Sequence, residues 1–172
     1  SAGTVSLADD LTVNGNFTHT AGDFSTAGHA VEFEGYNTTI DAGSVTFDDV
    51  TIDTSGRTTI ADELQIDGDL TVARASTVNG DQSRVAGNVT TADTSWGGSA
   101  TIVLGGTADQ SISGPGELSH LTIDKSAGTV SLADDLTVNG NFTHTAGDFS
   151  TAGHAVEFEG YNTTIDAGSV TF

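Results

Sequence analysis

The chain has 172 residues, 24 acidic side chains against 4 basic ones and a formal net charge of −20 at pH 7. A surface of that sign repels nucleic acid and anionic lipid, and suits solubility in salt or the binding of divalent cations. Cysteine is absent, which removes disulfide frameworks and thiolate metal sites, and no run of about 18 apolar residues offers membrane insertion in this segment.

From Thr4 onward the pattern alternates. Val5-Ser6-Leu7 is followed by Asp9-Asp10, then Leu11-Thr12-Val13, a turn at Asn14-Gly15-Asn16, and Phe17. Apolar-polar-apolar triplets separated by Gly, Asn and Asp read as short strands joined by bends. The bend recurs as Ile66-Asp67-Gly68-Asp69, Val78-Asn79-Gly80-Asp81 and Val138-Asn139-Gly140-Asn141, with the residue types that tolerate a left-handed backbone. Hairpins are the competing reading of each Asn-Gly, but equal-length strand pairs do not flank the turns. Residues 73 to 100 are the least regular, with Trp96 beside Gly97-Gly98, and predict a protruding loop or a distorted coil.

Two repeats overlie this pattern. Residues 1–47 and 126–172 are identical letter for letter. The chain is therefore one full period (1–125) and the start of the next (126–172), and reads as a stretch of a longer tandem array. A weaker echo relates Val50-Thr51-Ile52-Asp53 to Leu121-Thr122-Ile123-Asp124, dividing the period into units of 71 and 54 residues. Taken as four coils and three, these give about 18 residues per coil, each with two or three short parallel strands. The expected fold is all-β: a single continuous parallel β-solenoid over residues 1–172, with inward Val, Ile, Leu and Phe stacking between neighbouring coils.

The phrases TFDDVTIDTSGRTTIADELQIDGDLTV (46 to 72), LSHLTIDKSAGTVSLADDLTVNGNFT (118 to 143) and GHAVEFEGYNTTIDAGSVTF (28 to 47) resemble repeats of very large bacterial surface proteins. Those proteins are similar to the filamentous-haemagglutinin class of right-handed parallel β-helices. The resemblance implies a right-handed, secreted, extended and often adhesive or filament-forming protein, extracellular or on the cell surface. It transfers no catalytic motif.

Candidate chemistry is sparse. Glu32 and Glu34 flank Phe33, and recur as Glu157 and Glu159. On one strand face they would lie about 7 Å apart, in the range of an inverting glycosidase pair; the alternative is a solvated acidic face. The acidic turns Asp9-Asp10, Asp48-Asp49, Asp62-Glu63, Asp67-Gly68-Asp69 and Asp134-Asp135 supply hard oxygen ligands suited to Ca²⁺. No EF-hand or calcium β-roll spacing accompanies them, and Asp also favours turns for its own hydrogen bonds. His19, His29, His120, His144 and His154 lack the tight spacing of a metal site. Asn16, Asn37 and Asn88 open sequons that small polar turns produce by chance. Tyr36, Tyr161 and Trp96 are aromatics for a glycan platform or for partly buried corners. Arg57, Arg74 and Arg84 are too few for a nucleic-acid surface. Thr12, Thr51, Thr71, Thr122 and Thr137 sit at triplet centres, where an exposed strand residue is expected, but not in the regular rows of an ice-binding face.

The expected role is structural: a shaft, stalk or filament segment with no catalytic site and no required cofactor. Its partners would be neighbouring repeats of the same chain, other copies in a filament, or a glycan or cell-surface partner. An adhesin and a polysaccharide-active β-helix enzyme are the alternatives.

Overall fold

The computed structural model describes residues 3–74, 77–92, 95, 97–170 and 172. Trp96 lies outside the described residues. These form 22 strands from Thr4–Ser6 to Ile165–Asp166, and no helix occurs among them. Every pairing between described strands is parallel. That excludes hairpins and makes the chain a β-solenoid of about eight turns.

The coil has three faces. Face one stacks Leu11–Asn14, Val31–Gly35, Val50–Thr54, Leu70–Arg74, Val89–Thr91 and Gln110–Ser113 onto the C-terminal parts of His120–Leu132 and Phe142–Ser150. Face three stacks Phe17–Thr18, Thr38–Asp41, Arg57–Ile60 and Thr77–Gly80, continues through a bridge from Val78 to Gly98, and ends on Glu117–Leu118, Leu136–Val138 and Val156–Phe158. Face two opens with Thr4–Ser6 on Asp23–Ser25. It then runs Thr46–Phe47, Leu64–Ile66, Ser83–Val85 and Thr101–Leu104 into the N-terminal parts of His120–Leu132 and Phe142–Ser150, and on to Ile165–Asp166.

Alternation decides which side chains enter. Val50–Thr54 buries Val50, Ile52 and Thr54 and turns Thr51 and Asp53 outward, the period of two that an extended chain imposes. Inward residues then align turn on turn. Leu11, Val31, Val50, Leu70, Val89, Ile112 and Leu132 form one stack. Phe47, Ile66, Val85, Leu104 and Ile123 form another. Burial of each such side chain contributes about 1.5–3 kcal/mol, shared only with the coils above and below. The triplet threonines face outward beside them, as the pattern predicted.

The coil is slightly longer than the sequence suggested. Stacked residues are 19 to 23 positions apart, as in Val31 and Val50, or Val89 and Ile112. The described residues between 73 and 100 are also more regular than expected. Thr77–Gly80, Ser83–Val85 and Val89–Thr91 each continue a face, because Val78, Val85 and Val89 supply inward apolar positions.

The two identical segments fold alike but on different faces. Leu11 pairs with Val31 and Leu136 with Val156; Phe17 pairs with Ile40 and Phe142 with Ile165. Ala27 and Ala152 (φ 55° and 53°) share a left-handed backbone, as do Asn37 and Asn162 (φ 55° and 58°). Phe17 meets Phe24, Phe33 and Phe47 edge-on at 5.7–5.9 Å, and Phe142 meets Phe149, Phe158 and Phe172 at 5.4–5.9 Å. Yet Leu11 lies on face one and Leu136 on face three, while Phe17 lies on face three and Phe142 on face two. Counted strand by strand, with Gly98 standing for face three in its turn, Thr4 to Thr129 is nineteen faces, or six and one-third turns. At about 4.8 Å per turn the period advances about 30 Å, not the roughly 34 Å of seven shorter coils.

Candidate functional site

Among the described residues, one grouping of three possible metal ligands forms: Glu32, Glu34 and Asp53 on face one. One carboxylate oxygen of each lies within 4.8 Å of the others, and all three residues are half-buried. The ladder places Glu34 beside Asp53 and Glu32 beside Thr51. Asp53 is also bound by Arg74, whose Nε is 2.9 Å from Oδ1. Glu32 and Glu34 thus share the outward side of their strand, as their spacing around Phe33 suggested. In the second copy, Glu157 pairs with Thr137.

The acidic turns do something the sequence did not disclose. At the corner entering face one, each side chain caps the backbone one turn away. Asp49 Oδ1 accepts from the Asp69 N–H (2.8 Å), Asp69 Oδ1 from the Asn88 N–H (2.6 Å), and Asn88 Oδ1 from the Ser111 N–H (2.8 Å). Asp10 Oδ1 accepts from the Ala30 N–H and Asp135 Oδ1 from the Ala155 N–H, an identical pair of contacts one period apart. The other corners repeat the device with Asn16 on Thr39, Asn37 on Arg57, and Asn141 on Thr164. Asn16, Asn37 and Asn88, which open sequons, are thereby used as caps. Glycine completes the fit: a Cβ at Gly68 would lie 2.1 Å from Asp49 Oδ1, and one at Gly87 would lie 2.3 Å from Asp69 Oδ1. Corner N–H groups cannot join a ladder where the chain bends, so a one-turn carboxylate or amide reach satisfies them.

The other expected cation ligands are dispersed. Asp48 Oδ2 accepts from Thr26 Oγ1 and the Gly28 N–H, both at 2.6 Å. Asp134 Oδ2 accepts from the Gly114 N–H, and Glu63 accepts from Gln82 Nε2 and Gln65 Nε2. The carboxylates of Asp9, Asp62 and Asp67 make no such bond among the described residues. The histidines are likewise scattered: His120 Nδ1 accepts from the Asn141 N–H, His144 Nε2 meets Gly147 O, and His29 and His154 stand beside Asp10 and Asp135. Tyr36 and Tyr161 are exposed rather than partly buried (75% and 102%). They follow strands on faces one and three respectively, so they do not share a platform.

The Thr26 and Gly28 bonds hold the Asp48 carboxyl below the usual carboxylate range. Its native pKa thus lies below the unfolded value. The stabilisation is complete above the ordinary carboxylate pKa and is lost as pH falls through the native one. Asp48→Ala should cost about 1 kcal/mol near neutral pH, discounted for its partial exposure. Thermal melts of both chains from about pH 6 down to 2 test this: the wild-type advantage should shrink in acid, and a constant gap would refute it.

Lys125 went unmarked in the sequence as a structural residue. It is 2% exposed, and its Nζ donates to Ala108 O (2.7 Å), Gln110 Oε1 (2.5 Å) and Gly105 O (3.3 Å). Gln110, also buried, donates onward to Val85 O and Gly87 O. The three ammonium hydrogens thus satisfy acceptors of the 105–110 corner from the turn beneath it. Burial pushes the Lys125 pKa down, opposed by the carboxylate of Asp109. No family model, curated protein or solved structure matches the chain, so the likeness to haemagglutinin-type helices rests on the repeat pattern alone.

Proposed function

We propose that the chain is a shaft, a repeat segment that gives reach to a very large bacterial protein outside the cell or on its surface. The observation that supports this reading most is the duplicated segment: the same 47 residues adopt the same pairings at both ends of one continuous ladder. A spacer tolerates such duplication, because each coil needs only its neighbours. A unique active site has no use for it. On this reading the chain is not an enzyme, and its acidic corners are structural, binding neighbouring coils rather than an ion. Neighbouring repeats, and other copies in a filament, are its partners.

Length is the test. Inserting one further 125-residue period should lengthen the particle by about 30 Å at unchanged cross-section, as read by small-angle scattering. The added coils should also raise the denaturation midpoint, since the end penalty is spread over more turns. A particle that thickens instead of lengthening would overturn the shaft reading.

A further inference from the structure

Of the four cationic side chains, three are committed. Arg74 pairs with Asp53, Arg84 lies between Glu63 (3.8 Å) and Asp124 (3.4 Å), and Lys125 is buried among carbonyls. Arg57 is exposed, and its guanidinium makes no ion pair or hydrogen bond among the described residues. It stands in a shallow depression at the corner between faces one and three, lined also by Tyr36, Asn37, Thr39, Ser55 and Thr59. Stacking assembles the depression from consecutive turns. Asn37 Oδ1 accepts from the Arg57 N–H, which draws the two corners together, and Thr39 aligns with Thr59 on the outward side of face three. Gly56 makes room for the ring: a Cβ there would lie 3.1 Å from two Tyr36 ring carbons. Tyr36 as a whole is left 75% exposed.

We infer that this depression is a subsite for an anionic sugar. The Tyr36 ring offers an apolar face, electron-rich at its centre, on which the C–H face of a pyranose can lie. Arg57 offers a planar fork, uncommitted among the described residues, for a carboxylate or sulfate, the geometry in which Arg binds anions bidentately. The Thr39 and Thr59 hydroxyls and the Asn37 amide nitrogen supply donors and acceptors for ring hydroxyls. The long-range field of a −20 chain opposes an anion, but it is screened beyond about 8 Å at physiological salt, whereas the Arg57 contact is direct. The subsite is additional to the shaft role and does not depend on it.

The test is titration of the full chain at physiological salt with trigalacturonate, a sulfated disaccharide and neutral galactotriose, followed by calorimetry and by amide chemical shifts. At least one of the two anionic sugars should bind and shift amides around residues 36–39 and 55–59, and which one binds identifies the anion; galactotriose should bind at least about tenfold more weakly. Arg57→Gln and Tyr36→Ala should each weaken binding by about tenfold, and both are exposed enough to leave the fold intact. Arg74→Gln and Tyr161→Ala should leave it unchanged. Equal binding of the neutral sugar, equal loss in Arg74→Gln, or no shift with either anionic sugar would overturn the inference.

Discussion

In the isolated 172-residue chain, Phe33→Ala should cost about 3–5 kcal/mol, while the same change at Phe158 should cost less than about 2 kcal/mol. The two residues share their sequence neighbours and much of their ring contacts. Phe33 meets Phe17 and Phe47, and Phe158 meets Phe142 and Phe172. What differs is the next turn. Phe33 stacks on Ile52 and is 0% exposed, whereas Phe158 has no described strand beneath it and is only half-buried. The difference between the two losses therefore measures what one adjacent coil contributes. Denaturant midpoints give the totals, and native-state hydrogen exchange in Val50–Thr54 locates the damage. Equal losses would mean that stability is not assembled from neighbour contacts.

The second large effect is expected at Lys125. Lys125→Met keeps the bulk of the stem but leaves Gly105 O, Ala108 O and Gln110 Oε1 without their donor. Orphaning buried acceptors costs about 1–3 kcal/mol each where no water replaces the donor, so a loss of at least about 2 kcal/mol is expected near neutral pH. The alkaline dependence separates the charge from the packing. Because burial lowers the native pKa below the unfolded one, the unfolded chain binds more protons between the two values, and wild-type stability should rise with pH over that window. Lys125→Met should lose this rise. A Met variant as stable as wild type, or one that retains the alkaline rise, would refute the assignment.

Much of the architecture was legible because period-two burial is local. Val50-Thr51-Ile52 announces a strand with one face in and one out, and the fold obeys it. Coil length was less legible. The 71- and 54-residue units were divided into whole coils, but they correspond to eleven and eight faces, so the strand with its corner is the repeating unit. Register was not legible at the corners. Asp49 and Asp69 look like cation ligands in sequence, and only their placement one turn apart reveals carboxylates capping N–H groups. A signal did exist: Asp49, Asp69 and Asn88 each precede a face-one strand at spacings near twenty. The Glu32, Glu34 and Asp53 grouping, and the depression that Tyr36 shares with Arg57, needed the same missing register. Lys125 carried no signal at all, since its burial depends on the shape of a corner in the previous turn.

The extra third of a turn in each 125-residue period gives a tandem array an azimuth as well as a length. Six turns would stamp every surface feature along a single edge, like teeth on a comb. With six and one-third, each successive unit presents its features about 120° further round the axis, and the original direction returns only at the fourth unit. Such an array has screw symmetry built into its sequence period, with a true repeat of about 90 Å. A flat partner lying along one side meets any given feature once in every three units. A partner that encircles the shaft, or a bundle of shafts packed side by side, meets it from every direction.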